Sequence, residues 1–582
     1  MKKFTEEKNV LILMSLMKEH GVRKVIVSPG TTNVSLVLSL QQDNYFELYS
    51  AYDERSAAYM ACGMAAESGE PVALSCTQAT ASRNYFSGLT EAYYRKLPIL
   101  AITSTQHAGR IGQGFQQAID RTVQPKDTVH LSLQVPVVNS TEDWWHCNTM
   151  INNALLELRR YGGRPVHLNL FTTYSRIFNQ HELPRERVIK RINYFDLLNG
   201  NFPLLNQNKK IAIFVGAHKK WSNKLIELVN SFCEKYNAVV CCDQISNYNG
   251  PYRVNVNLIG CQIEYQSPAL TADVIIHIGE ITGGSMRIKS TDVWRIDPNG
   301  EIMDTFKNQK LIFEMEEEYF FQFYLNIANK KVNNFDYLNL WKNEILKIEG
   351  NVSNLPFSNA WIAKQTLKRL PENTKLHMGI YNSYRMWSMF SCENVILGNC
   401  NTGGFGIDGC ISSMIGASLC TDSLVYGVFG DLAFFYDMNS LANKHVRDNL
   451  RIMLINNGIG TEFKNPDNRA FKFGNLANTY VAAEGHNGNK SKDLIKHYSE
   501  DLGYMYIKAE NKEEYLSQLD VFLDETIKQS IIFEVFTDYN DETKAYDILM
   551  HSYSDLTGIL KTKAKNVLGD SGIAKIKELI KK

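Results

Sequence analysis

An aspartate and an asparagine 26 positions apart, Asp431 and Asn457, each end an apolar run, SLVYGVFGD and LRIMLINN. If both runs are strands of one parallel sheet, joined by the helix-length segment between them, the two side chains reach the same sheet edge. That edge is where α/β folds bind ligands. Their oxygens are hard donors of the kind Mg²⁺ takes. The carbonyl of Ile459 is a candidate third ligand, which leaves the ion's other positions to diphosphate oxygens and water. Gly430 lets backbone approach such a diphosphate, and the start of the following helix favours its charge. Singly, these residues have plainer readings, Asp431 as a helix cap and Asn456-Asn457 as a turn. The pair at this spacing, with both strands, points to a metal–diphosphate site.

Other candidates carry weaker signals. GFGIDG (404–409) matches G-x-G-x-x-G, and Asp431 lies 22 positions beyond Gly409. That is the outline of a dinucleotide fingerprint and keeps a nucleotide-dependent dehydrogenase as an alternative. His107 follows the apolar run PILAIT as a catalytic candidate or a plain loop residue. Glu462, five positions after Asn457, is a candidate proton donor or partner for a polar substrate. Glu54 opens a helix after FELYSAY, where a carboxylate alone only suits the helix dipole. No G-x-S-x-G, H-E-x-x-H or Walker pattern is present.

The elements that must position these residues alternate in type. Apolar runs at 22–28, 71–76, 98–103 and 164–171 are separated by helical patterns, the rhythm of parallel βαβ units. KKIAIFVGA, AVVCCD, ADVIIHIGE and VWRIDP form a second unit; NVILGN, SLVYGVFGD, LRIMLINN and QSIIFEVF form a third. The expected fold class is α/β with parallel sheets in three domains, 1–182, 190–345 and 355–545, then a Lys-rich helical tail, 546–582. A chain of 582 residues exceeds one core, and 44% apolar with 21% charged residues is globular. Basic and acidic residues balance at 62 each, so neither nucleic acid nor an anionic membrane is an expected partner. Eleven scattered cysteines without a C-x-x-C pair, and an amphipathic rather than signal-like N-terminus, suggest a reduced, cytoplasmic protein. Cys241-Cys242 are expected to be small strand hydrophobes.

The Gly430-Asp431 to Asn456-Asn457 segment resembles the cofactor motif of the thiamine-diphosphate family of 2-oxo-acid decarboxylases and carboligases. It is similar to the branch of menaquinone biosynthesis, which also has Gly-Asp-Leu, here ending in Leu432, and a following Tyr-Asp-x-Asn, here 436–439. SPGTTNVSL, Asp53-Glu54-Arg55, Gln116-Gln117-Ala118-Ile119, NSYR (382–385) and GIDG (406–409) extend the likeness over nearly the whole chain. The resemblance implies thiamine diphosphate and Mg²⁺ as cofactors. It implies a homodimer or homotetramer with active sites between chains. It implies Asp431, Asn457 and Ile459 as metal ligands, with Gly30, Thr80, Ser383, Gly406, Ile407, Gly430, Leu432 and Thr461 around the cofactor. Ile407 is then the residue that presses between the two rings. Glu54 becomes the carboxyl that promotes the imino tautomer of the aminopyrimidine, a role that needs proton exchange near neutral pH. Gln116, His107 and Glu462 are the further catalytic candidates.

That branch joins isochorismate to a fragment of 2-oxoglutarate and uses several arginines, because charge-assisted pairs suit carboxylates. Those arginine positions carry Thr31-Thr32, Ser104-Thr105, Thr402 and Trp387, and a lysine position carries Gly284. Arg385, Arg83 and Arg110 are nearby replacements. Thr31, Thr32, Asn33, Arg385, Thr402 and Phe463 are the expected substrate contacts. The expected reaction decarboxylates a small, pyruvate-like 2-oxo acid donor and transfers the acyl-anion equivalent to a polar carbonyl acceptor. A simple decarboxylase and the menaquinone synthase activity itself are the alternatives.

Overall fold

The computed structural model of the protein describes residues 2–560 and 562, apart from 286, 330–332, 353, 393, 395 and 487–490. The helical pattern of the Lys-rich tail falls mainly on 561 and 563–582, outside the described residues. The chain forms two compact units. One comprises the residues up to Leu197 with Gly300–Glu314; the other comprises Leu198–Asn299 with the residues from Met315 onward.

In the first unit six parallel strands are β1 (Lys24–Val27), β2 (Glu47–Ser50), β3 (Val72–Cys76), β4 (Ile99–Thr105), β5 (Leu131–Val135) and β6 (Val166–Phe171). Their order is β2-β1-β3-β4-β6-β5. β3 and β4 are buried along their whole length, because helices cover both faces of a parallel sheet. On one face the helix Lys8–Glu19 buries Val10 through Met17 against the helix Thr141–Glu157, which opens with a Ser140/Asp143 capping box. On the other, the helix Glu54–Ser68 packs its alanines against β3 and the helix Phe86–Arg95. The unit also holds a parallel pair, β7 (Lys190–Ile192) with β13 (Gln309–Phe313).

The second unit contains two parallel arrays. One has β8 (Ile211–Val215), β9 (Ala238–Cys242), β10 (Arg253–Asn255), β11 (Val274–Ile278) and β12 (Val293–Ile296), ordered β10-β9-β8-β11-β12. Cys241 and Cys242 are buried in β9, and burial pushes the Cys242 thiol up to about 12, so both pack as strand hydrophobes. The described cysteines form no disulfide. The other array has β14 (Thr374–Met378), β15 (Ile396–Cys400), β16 (Val425–Gly430), β17 (Leu450–Asn456), β18 (Met505–Ala509) and β19 (Ile531–Phe536). Its order is β15-β14-β16-β17-β19-β18. The fold is thus α/β with three parallel sheets, as the alternation of elements implies. Among the described residues no helix is long and apolar enough to cross a membrane.

Within the second unit the two arrays are joined by close backbone contact. Gly398 in β15 lies where any Cβ would overlap the Gln244 carbonyl. Asn247 grips Gly398 from both sides, accepting from its N–H at 2.8 Å and donating to its carbonyl at 3.2 Å. Gln244 donates to the carbonyls of Trp387 and Phe390. These contacts fix the helix Asn382–Ser388 beside β14 and β16, at the sheet edge where Asp431 stands.

Candidate active site

β16 and β17 pair directly, with Gly430 opposite Ile455. Each strand therefore delivers its last residues to one edge, and Asp431 and Asn457 meet there. Asp431 is buried and accepts backbone N–H bonds from Leu432 at 2.7 Å, Gly458 at 2.6 Å and Asn457 at 3.2 Å. Burial lifts its carboxyl to about 6, although these N–H donors pull it back. No cation neutralises it among the described residues, so the site has the charge of a cation receptor. Asn457 Oδ1 accepts from Ile459 N at 3.4 Å. Among the described residues no three His, Cys, Asp or Glu side chains gather as a metal cluster. The expected ligand set does not need one, since it combines one carboxylate, one amide and one carbonyl with oxygens brought by a diphosphate.

Asp431 and Asn457 line a cavity of about 320 Å³. Ser383, Ile407, Gly430, Leu432, Ile459, Thr461, Glu462 and Phe463 share its wall, so most of the second unit's expected site residues are brought together. A Cβ at Gly430 would meet nothing within 4 Å, which leaves open space beside the backbone for a phosphate. Ser383, Gly430, Gly460 and Thr461 beside the carboxylate without a cation partner fit a metal-bound diphosphate, while Ile380, Ile407, Leu432 and Phe463 make the rest of the wall apolar. Gly406 and Thr402 are not in the wall. Thr402 is buried, and its N–H donates to the Cys400 carbonyl at 2.8 Å.

Several wall residues escape sequence reasoning. Asn359 lines the cavity and accepts from Trp387 Nε1 at 3.0 Å. Its N–H is held by the Glu542 carboxylate, which burial pushes up to about 7 against hydrogen bonds from Thr537 and Asn359. With its amide turned so that the oxygen faces Thr461 Oγ1 and Glu462 N, Asn382 accepts from them at 2.5 Å and 2.9 Å and donates to Glu462 Oε2 at 3.1 Å. The NSYR segment locates Asn382, but no local signal singles out Asn359 or Glu542. Arg385 and Glu462, both candidates separately, form a two-pronged ion pair, Nη1–Oε2 2.5 Å and Nη2–Oε1 3.3 Å.

The remaining expected residues lie in the first unit. Glu54 is the first residue of its helix and partly exposed; Asp53 caps that helix through Arg55 N. Gly30 is a close approach, since a Cβ there would run into the Thr77 side chain. Thr31, Thr80 and Gln116 are exposed. Thr32 and Asn33 turn inward: Thr32 Oγ1 bonds Thr77 Oγ1 at 2.7 Å and the Ser104 carbonyl at 2.9 Å, and Asn33 donates to the Ser28 carbonyl at 3.0 Å. As placed, neither presents its polar group to a substrate, which departs from the expectation for them. His107 caps a short turn by accepting from Gly109 N at 3.1 Å. Arg83 donates to the Asp120 carbonyl, and Arg110 pairs with Gln106 and stacks over Phe115.

Comparison with known proteins agrees with this geometry. Residues 10–124 match the family described as thiamine pyrophosphate enzyme, N-terminal TPP binding domain. The protein is therefore a thiamine-diphosphate-dependent enzyme, using that cofactor with a divalent metal ion, and the dinucleotide reading of GFGIDG gives way to it. The 2-succinyl-5-enolpyruvyl-6-hydroxy-3-cyclohexene-1-carboxylate synthase of Bacteroides fragilis is 30% identical over 564 residues, covering 93% of this chain and 98% of its own. The synthase of that name from Bacteroides thetaiotaomicron is 29% identical over 563 residues, with the same coverage. That of Flavobacterium johnsoniae is 26% identical over 565 residues, covering 93% and 97%. The chain belongs to the family of these synthases.

Proposed function

We propose that this enzyme decarboxylates a 2-oxo acid with a single carboxylate, pyruvate-like in size, and transfers the resulting acyl-anion equivalent to a polar, weakly charged carbonyl acceptor. The observation that carries this reading is the fate of the arginine positions. The positions that the resemblance implies as arginines hold Thr32, Thr402 and Trp387, which are 2%, 5% and 1% exposed and carry no charge to offer a substrate carboxylate. A polyacid substrate would be left with carboxylates lacking charge-assisted partners, at about 3–5 kcal/mol for each that is buried.

In this reading the oxygens of Asp431 and Asn457 and the Ile459 carbonyl hold the divalent ion. Gly430 and Leu432 give backbone room to the diphosphate, with Ser383 and Thr461 beside it. Ile407 and Gly406 shape the ring site from the second unit. When bound, thiamine diphosphate supplies the carbon nucleophile and the electron sink. Glu54 holds a proton at its carboxyl against the pyrimidine N1′, and Gln116 faces the donor. We assign Glu54, with Gly30, Thr80 and Gln116 of the same unit, to a second copy of the chain, as in the family's shared sites. The exposed apolar residues Tyr52, Tyr59 and Met60 around Glu54 support such a partner, because a lone surface would leave them wet.

A second reading is the synthase activity of the relatives, favoured by their 26–30% identity across 93% of the chain. One experiment separates the two. The cofactor-loaded enzyme is given pyruvate and 2-oxoglutarate separately, and CO₂ release is measured, then repeated with isochorismate present. Faster turnover of pyruvate supports the first reading. Fast turnover of 2-oxoglutarate followed by addition to isochorismate overturns it in favour of the second.

A further inference from the structure

The Arg385–Glu462 pair joins two elements of the cavity wall. Arg385 comes from the helix Asn382–Ser388, and Glu462 from the turn Thr461–Lys464 that follows the metal-site strand. The guanidinium meets the carboxylate with two nitrogens on two oxygens, the geometry in which arginine takes a substrate carboxylate. Asn465 donates to Glu462 Oε2 at 3.4 Å, and Asn382, in the amide orientation given above, donates to the same oxygen at 3.1 Å. The pair is only partly solvated, with 28% of the arginine and 22% of the glutamate side chain exposed. Glu462, Asn382 and Asn457 line the same cavity.

We propose that Glu462 is a specificity-determining residue: it occupies the Arg385 fork as an internal substitute for a substrate carboxylate, so that the substrate group meeting this wall is uncharged. This rests on the proposed reading of the cavity as the site of cofactor and substrate. Arg385 does not itself line the cavity, and its fork is already filled by Glu462, which does. Lys464, on the same turn as Glu462, is spent on the Gly474 carbonyl and the Asn478 side chain. A substrate bearing a second carboxylate would have to displace Glu462. It would leave that carboxylate on a half-buried wall beside its own negative charge, which is selection by repulsion as much as by attraction. A hydroxyl or carbonyl on the substrate meets no such penalty, and Asn382 lines the cavity beside it.

The test uses the full-length protein loaded with thiamine diphosphate and Mg²⁺, with succinate as a dicarboxylate probe that cannot be decarboxylated. Calorimetry gives its affinity for wild type, E462Q, R385Q and E462Q/R385Q. Glutamine keeps the shape of Glu462 but removes its charge, freeing the guanidinium. E462Q is expected to bind succinate at least about tenfold more tightly than wild type, since one charge-assisted contact is gained. The double variant should lose that gain, and R385Q alone should stay within about threefold of wild type. If E462Q does not fold, E462A is judged by the same criterion. A smaller gain in E462Q, a gain that survives in the double variant, or a tenfold loss in R385Q overturns the proposal and leaves the pair as a brace between helix and turn. Titration of wild type with thiamine diphosphate itself reports on the cavity reading. Failure there sinks that reading, whereas normal cofactor binding with an unchanged succinate affinity in E462Q sinks only the role of Glu462.

Discussion

Replacing Asp431 by asparagine should separate what this residue does for the fold from what it does for the cofactor. Its carboxyl is 6% exposed, and burial raises it from 3.8 to about 6. A folded value above the unfolded one means that ionisation opposes folding. The cost is absent below about pH 3.8, grows as pH rises, and is complete above about 6. Two pH units correspond to about 3 kcal/mol at pH 7, with little solvent screening at this burial. The Asp431→Asn change would remove the charge but place an NH₂ where one carboxylate oxygen accepts backbone N–H bonds, which returns about 1–3 kcal/mol. The cofactor-free variant should therefore be as stable as wild type, or up to about 2 kcal/mol more stable, at pH 7. Any advantage should disappear at pH 4. Loading with thiamine diphosphate and Mg²⁺ at about 100 times the dissociation constant should stabilise wild type by about 2.7 kcal/mol and the variant hardly at all. Urea unfolding of both proteins, with and without cofactor, measures this. A cofactor-free variant that is more than about 1 kcal/mol less stable than wild type would refute the reasoning, and so would an intact cofactor effect.

Further outcomes follow from other residues. Glu54→Gln should keep substantial thiamine diphosphate binding while slowing C2–H/D exchange by about 10² or more, because an amide cannot relay the proton; exchange at the wild-type rate would remove Glu54 from this role. His167 is buried between the hydroxyls of Thr103 and Ser132, and burial lowers it from 6.5 to about 3. Its neutral form is the folded one, so its contribution is complete above about pH 6.5 and lost as pH falls toward 3. Between pH 7 and 5 this removes about 2 kcal/mol, visible as a urea midpoint shift that H167Q should diminish. Gly398→Ala should cost about 1–3 kcal/mol through overlap with the Gln244 carbonyl, measured as a lower Tm; an unchanged Tm would show that the two arrays can move apart freely.

The sequence exposes those parts of the fold whose strands are buried on both faces. VALSC, IAIFV, VIIHI and LRIMLIN are unbroken or nearly unbroken apolar runs, because a parallel sheet covered by helices leaves no polar side. β14, TKLHM, lies inside its sheet between β15 and β16 yet carries a lysine and a histidine, and so lacks that signature. Lys375 reaches out to Thr421 while its stem packs, and His377 is buried, its ring pushed down to about 4 by desolvation. β18, MYIKA, is a half-buried edge strand with the same ambiguity. At the site, Asp431 and Asn457 are legible because one βαβ unit fixes their meeting. Arg385 and Glu462 are 77 positions apart on elements that meet only through tertiary packing, so each is visible alone and their pairing is not. Thr32, Asn33 and His107 mark the opposite limit. Their side chains can bond outward or back into the protein, and residue type does not say which.

Titration calorimetry of thiamine diphosphate into the wild-type protein, with and without Mg²⁺, tests the assignment of the Asp431–Asn457 edge most directly. The buried carboxylate without a cation partner predicts binding that depends on the metal, at least about a hundredfold tighter in its presence. Equal affinity in Mg²⁺ and in excess chelator would contradict it.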